Sequence, residues 1–377
     1  MFLKKYKSIF VYFTLIFACL LSTFILWLPF ILRIPSWFGI NIDLNNFLYI
    51  YKNYDGILYI IPAKTLYNPG LIQEISQSLM KPLYYAAHLP LYPVFIRVFS
   101  YIFGYLKSMI FVNVLFTCIL ACFFYFFVKK LKISEKPIAL TIVFLFLPRF
   151  LTVRSVGAPE SLFIFLILAS LFFFEKKKYF VACLLGGLSA MTKTPGILLF
   201  IVYVFVFIEE YLNKKKVNWN FLFTIFIPIG LLLVFLLYFF QYGDFFAYFH
   251  TGGIVPMSFP FSVFNHGLKW VGTVWLEDII FYFFIYALTV VTLKKSKYRS
   301  FFYFSLVFLT ASILVQHRDI ARYTLPIWPI AVIAFEKFFT SRKFLAVFIV
   351  LLPAIYMYAW NFMTQNYMPI SDWTPFL

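Results

Sequence analysis

Between its first two long hydrophobic runs the chain sets Asn53-Tyr54-Asp55-Gly56-Ile57-Leu58-Tyr59 and, further on, His88-Leu89-Pro90-Leu91-Tyr92-Pro93. A carboxylate, an imidazole and several phenols gathered beside a bilayer are suited to acid–base chemistry at its surface. Asp55, just before Gly56 at an expected helix start, is the candidate general base, able to take a proton from a hydroxyl. A half-buried, low-dielectric setting is expected to raise its pKa and improve it as a base. The plainer alternative is a helix N-cap. Two prolines fix a bent entry to the bilayer, and His88 and Tyr92 are expected to face one aqueous cleft. His88 suits a phosphate or a sugar, and equally a structural place at the interface, where Tyr is common too.

Three further clusters could handle an anion. Arg149, Arg154 and Glu160 fall where a helix pair turns, in Pro148-Arg149-Phe150 through Gly157-Ala158-Pro159-Glu160-Ser161. The planar guanidinium can donate two hydrogen bonds to a phosphate at once; the alternative is snorkelling to headgroups. Lys193, in Thr192-Lys193-Thr194-Pro195-Gly196, breaks a long apolar stretch and so points toward a cavity rather than lipid. Phosphate binding and simple turn duty are both open to it. Gln316-His317-Arg318-Asp319-Ile320-Ala321-Arg322-Tyr323 offers Arg318 and Arg322 to a phosphate, with an Arg318–Asp319 surface network as the alternative. No Walker loop, HExxH, GxSxG or zinc spacing occurs, so neither a metal nor a cofactor is expected. Cys19, Cys118, Cys122 and Cys183 all lie in apolar runs and read as packing residues.

Membrane helices must position these groups. With 63% hydrophobic and 12% charged residues among 377, the chain has more apolar surface than a soluble domain can hide. The 55 Phe and 27 Tyr accompany many Lys, Asn and Ile, the mark of a biased genome, so no single Phe carries weight. The net charge of +18 invites a nucleic-acid reading, but its placement excludes one. Lysines cluster at the ends of apolar runs: Lys4, Lys5 and Lys7; Lys129, Lys130, Lys132 and Lys136; Lys176 to Lys178; Lys214 to Lys216; Lys294, Lys295, Lys297 and Arg299; Lys337, Arg342 and Lys343. That is the positive-inside pattern.

The expected fold is therefore an all-α polytopic membrane helix bundle, one domain over 1–377 with about eleven spans. They fall near 8–32, 108–128, 137–154, 160–174, 179–191, 196–212, 219–240, 279–293, 300–315, 322–339 and 344–360. The first run is too long for a signal-peptide core and is expected to stay as a membrane helix. The segment 89–104 carries Arg97, and counting it as a span would put every later lysine cluster outside. Treating it as re-entrant or interfacial keeps them all inside. The N-terminus is then cytoplasmic, and 33–107 is a large first external loop with short amphipathic helices around 53–67 and 71–81. Most non-lysine polar residues, Asp244 among them, then collect on the outer face.

Taken in chain order, the motifs resemble the multi-spanning GT-C glycosyltransferases, specifically relatives of the mannosyltransferase that adds the second mannose of GPI anchors. Asp55-Gly56-x-x-Tyr59-x-x-Pro62-Ala63 is similar to that family's first-loop segment, and Leu89-Pro90-Leu91-Tyr92-Pro93 to its Phe-Pro-Leu-Tyr-Pro element. Pro159-Glu160-Ser161-Leu162-Phe163 resembles its Glu-Ser-Leu-Phe helix start. Leu184-x-Gly186-Gly187-Leu188-Ser189-Ala190, leading into Thr192-Lys193-Thr194-Pro195-Gly196, resembles its Gly-rich helix and Thr-Arg-Pro-x-Gly turn. Gly243-Asp244-Phe245-Phe246-Ala247-Tyr248 and Arg322-Tyr323-x-Leu325-Pro326 match two later motifs. Tyr54 stands where the family usually has Trp, and Lys193 where it has Arg.

The resemblance implies a polyprenyl-phosphate monosaccharide donor, commonly mannose, a lipid or glycan acceptor, and direct displacement with inversion. It makes Asp55 the base and Arg154, Lys193, Arg318 and Arg322 the candidates for the donor phosphate. Tyr59, His88, Tyr92, Glu160 and Asp244 would contact substrate, and a groove between helices would hold the lipid tail. The rival readings are a lipid-linked saccharide flippase or transporter, a polysaccharide polymerase or ligase, and a purely structural membrane protein.

Overall fold

The computed structural model describes residues 2–42, 47–76, 79–251, 256–265, 276–317 and 319–377. Backbone in lipid must satisfy its own hydrogen bonds, and the long apolar runs do so as helices. Among the described residues six are long and apolar enough to cross a membrane: Ile9–Ile31, Tyr105–Lys130, Thr194–Lys214, Trp219–Tyr242, Leu276–Leu293 and Arg342–Gln365. Sheet among the described residues is confined to Ser36–Trp37 paired with Ile40–Asn41. The chain is an all-α bundle of membrane type.

The other expected spans are shorter or broken. The run 137–154 divides into Pro137–Leu145 and Pro148–Val153. Proline disfavours helix in the residue before it, and Leu147 is accordingly extended. Around Pro326 the run 322–339 becomes Ile320–Tyr323, Leu325–Ile327, Trp328–Ala334 and Glu336–Phe339. Glu160–Glu175 has 16 residues. At 1.5 Å per residue it is about 24 Å long, less than a hydrocarbon core of about 30 Å. It is apolar all round and buried almost throughout, the signature of a central helix. It packs on Tyr105–Lys130 and Tyr179–Thr192, and Glu160 opens its first turn.

The first loop folds back onto this bundle. Where two amphipathic helices were expected it forms Gly56–Tyr59, Ile60–Thr65, Pro69–Ser76, Pro82–Ala87 and Leu91–Phe103. The last is a hairpin arm of 13 residues that reverses at Gly104, φ +74°, into Tyr105–Lys130. Arg97, the awkward charge in this arm, donates to the carbonyls of Ala63 and Lys64 at 2.9 Å each. It thereby caps the C-terminus of Ile60–Thr65, where a cation is favoured.

Two contacts set the height of Asp55. The C-terminal tail straps the loop: Tyr54 N donates to Asn366 O, Met368 N to Lys52 O, and Lys64 Nζ to Pro375 O. On the other side Gly56 meets Gly157 so closely that a Cβ on Gly56 would run into the Gly157 carbonyl. Only glycine lets the loop sit this near the turn that leads into Glu160.

Candidate functional site

Asp55 follows Tyr54, a non-glycine residue at φ +56°. Such backbone is uncommon for a bulky residue and is held only where packing over-determines it. Asp55 stands at the N-cap of Gly56–Tyr59, yet its side chain makes no capping bond. The carboxylate turns away and accepts a hydrogen bond from Arg322 Nη1 at 3.1 Å. The N-cap alternative therefore does not describe what this carboxylate does.

Arg322 comes from the short helix Ile320–Tyr323 and is buried, its guanidinium 4.5 Å over the Tyr54 ring. Its Nε donates to Glu160 Oε1 at 2.7 Å. Lys193, at the break after Tyr179–Thr192, donates to the same oxygen at 2.8 Å. Glu160 is 2% exposed, and among the described residues its Oε2 has no hydrogen-bond partner. Four residues from four separate stretches of chain thus share one network, two carboxylates against two cations. Asp55 is its open end, 41% exposed at the side chain.

His88 lies behind Asp55, its Nε2 3.9 Å from Oδ2. It is 2% exposed, and neither ring nitrogen has a hydrogen-bond partner among the described residues. Tyr59 packs edge-on against it at 4.6 Å. Burial pushes the His88 pKa down to about 4, against the smaller upward pull of Asp55, so the ring is neutral at pH 7. Burial alone would raise the Asp55 carboxyl, but Arg322, His88 and Lys193 outweigh it and hold the carboxyl well below the usual carboxylate range. With His88 neutral, Arg322 is the cation that decides. The expectation of a raised Asp55 pKa is corrected: the site's charges overrule its burial.

His88 gives a pH prediction. Its folded pKa lies below its ordinary 6.5, so the unfolded chain binds the proton more readily. The contribution is complete above about 6.5 and is lost as pH falls toward about 4, at no more than about 1.4 kcal/mol per pH unit. Melting temperature in detergent is expected to fall between pH 7.5 and 5, and to fall less in His88→Gln. Equal slopes in both proteins would refute this burial argument.

The other candidates are elsewhere. Arg154 is fully buried and donates to Leu145 O, Thr23 Oγ1 and Ser22 Oγ at 3.2, 3.1 and 2.8 Å. It braces the first helix to the 154–158 turn and makes no contact with the network, which corrects its expected place at a phosphate. Replacing Arg154 by Met strands those buried acceptors at about 1–3 kcal/mol each. Lower folded yield is expected, with unchanged specific activity in the protein that folds.

Tyr92 is also structural. It is fully buried, and its hydroxyl donates to Met109 O at 2.6 Å and accepts from Ala158 N at 3.1 Å. Its ring packs edge-on against Tyr59 at 5.1 Å. Asp244 pairs with His250 Nδ1 at 2.6 Å and accepts from Phe246 N, apart from the network. Arg318 lies outside the described residues.

Arg149 is the residue that chain order undervalued. At 3.6 residues per turn, positions 149 and 154 project about 140° apart, so only one can face the network. Arg149 does. It donates to the Tyr54 hydroxyl at 3.3 Å, pairs with Asp319 at 3.5 Å and lies 4.0 Å over the Phe362 ring. Phe362 stacks on Tyr358, and Tyr358, with Asp278 and Tyr282, lines an apolar groove of about 850 Å³. The groove runs between Leu276–Leu293 and Arg342–Gln365, walled by Phe146, Phe281, Ile285, Phe348 and Ile355.

The arrangement can hold an anion beside Arg322, Lys193 and Arg149, seat an apolar chain in the groove, and offer Asp55 to a hydroxyl. Among the described residues no three His, Cys, Asp or Glu side chains converge as a metal centre would need. No family model matches the chain, and no curated protein matches it significantly.

Proposed function

We propose that this protein is a membrane glycosyltransferase that moves a monosaccharide, mannose by the motif resemblance, from a polyprenyl-phosphate donor to a hydroxyl of a lipid or glycan acceptor. In this reading the chain crosses the membrane about eleven times in the manner of GT-C enzymes, with its lysine-rich face cytoplasmic and Asp55 on the outer side. The observation that carries it is the convergence of Asp55 with Arg322, Lys193 and Glu160 at the end of a helical bundle, next to an arginine that adjoins an apolar groove.

Charge balance supplies the mechanism. At rest the two carboxylates neutralise the two cations, and Asp55, paired to Arg322, is a weak base. A phosphodiester arriving at Arg322 competes with Asp55 for the guanidinium. The released carboxylate loses its stabilising partner, its proton affinity rises, and it takes the proton of the acceptor hydroxyl. The hydroxyl oxygen bonds to the anomeric carbon as the bond from that carbon to the phosphate oxygen breaks. Polyprenyl phosphate leaves with one more negative charge, which Arg322 and Lys193 are placed to stabilise. The groove takes the prenyl tail, with Arg149 near its polar end.

The test is transfer from a labelled polyprenyl-phosphate sugar to endogenous acceptors in isolated membranes. Donor-dependent transfer that scales with expression is the expected result. Translocation of the lipid-linked sugar without transfer by the wild-type protein would replace this reading with the flippase.

A further inference from the structure

A second cavity, polar and of about 880 Å³, lies at the lysine-rich end of the bundle. It forms between the 132–137 turn and the short helix Glu336–Phe339 with the turn after it, lined by Lys129, Lys132, Lys136, Lys337, Glu135 and Glu336. Two cations of neighbouring basic turns are ion-paired, Lys214 with Glu210 at 2.7 Å and Arg299 with Glu209 at 2.8 Å. Here, among the described residues, no carboxylate comes within 4.0 Å of the four ammonium groups. Two of them are held by neutral groups instead, Lys136 by Thr340 O at 3.0 Å and Lys129 by the Tyr125 hydroxyl at 3.1 Å. The cavity therefore carries four ammoniums against two carboxylates, with two lysines held in place.

Its surroundings are apolar. Phe338, next to Lys337, is 61% exposed and packs against Phe344, which lines the inner end of the apolar groove. A ligand filling both parts must present an anion to the lysines and hydrocarbon to the phenylalanines. We propose that this cavity binds the phosphate of an anionic phospholipid from the leaflet at the lysine-rich face, its acyl chains lying along Phe338 and Phe344. The proposal is independent of the transferase reading.

The test uses full-length purified protein in a neutral detergent. Thermal stability and lipid retention in native mass spectrometry are followed on adding phosphatidylglycerol, phosphatidylcholine or glycerol 3-phosphate. Phosphatidylglycerol is expected to raise the melting temperature and to stay bound, while phosphatidylcholine does neither. Lys132→Gln combined with Lys337→Gln is expected to weaken retention about thirtyfold, the effect of two lysines at about 1 kcal/mol each near an anionic surface. Its melting temperature without lipid should match the wild type, and Lys215→Gln with Lys216→Gln, a control cluster that lines no part of the cavity, should change nothing. An equal shift with phosphatidylcholine, or full retention by the cavity variant, overturns the site. An equal shift with glycerol 3-phosphate overturns the lipid assignment in favour of a soluble phosphate.

Discussion

Asp55→Asn is expected to lower sugar transfer by about 10²–10⁴-fold, the range for loss of a positioned base, while the protein folds normally and binds its donor at least as tightly. The last clause separates this role from a merely structural one. Asparagine keeps the shape and the backbone of the turn. The lost ion pair is 41% exposed on the Asp55 side, where such pairs contribute about 0–1 kcal/mol. Arg322 keeps Glu160 through Nε and gains a freer Nη1 for phosphate. Turnover should collapse while the donor KM stays level or falls. The wild-type pH profile carries a related signature. In the free enzyme Arg322 holds Asp55 below the usual carboxylate range, so the acid limb of kcat/KM lies low. With donor on Arg322 the carboxyl rises, and the acid limb of kcat should lie at higher pH, since the two parameters report free and bound enzyme. Undiminished transfer by Asp55→Asn would remove this residue from the chemistry.

The polar members of the site were legible because each interrupts oil. Asp55, Glu160, Lys193 and Arg322 all sit where an apolar run stops, and a charge there has to be paired or used. What composition and spacing could not supply was the pairing. That Glu160 Oε1 would gather both Lys193 and Arg322, and that Arg322 would reach on to Asp55, depends on contacts between distant stretches of chain. The sign of the Asp55 shift depends on that same pairing, because burial alone raises the carboxyl and the neighbouring cations reverse the shift. Arg149 against Arg154 was a question of helix face, decided by a six-residue helix whose register no periodicity in so apolar a stretch reveals. Helix breaks inside the expected spans were hidden in the same way: hydropathy runs on through 137–154 and 322–339, whereas the helices there divide into shorter pieces beside Pro148 and Pro326. Those breaks help position the site, for Arg149 and Arg322 both stand beside them.

Arg322→Gln should abolish both transfer and much of the stability, and the two losses can be separated. Glu160 is 2% exposed and takes hydrogen bonds from Arg322 and Lys193 on one oxygen. Removing one partner of a buried ion pair costs about 3–5 kcal/mol, most of it the penalty for the charge left behind. Glutamine at 322 leaves Glu160 with Lys193 alone, so a clear drop in melting temperature is expected. Neutralising that carboxylate in Arg322→Gln/Glu160→Gln removes the stranded charge. Lys193, 16% exposed at the side chain and close to the Tyr323 ring, retains access to water and an aromatic face. The double variant should therefore recover much of the lost stability, a coupling of the kind that neighbouring charges show in double-mutant cycles. Transfer should not recover, because the group that meets the developing phosphate charge is still missing, and loss of one such donor costs about 10²–10³ in rate. Stability and rate then move apart in a single protein. A double variant that regained wild-type transfer together with its fold would make Arg322 a structural counter-ion of Glu160, and would leave Lys193 and Arg149 to hold the phosphate.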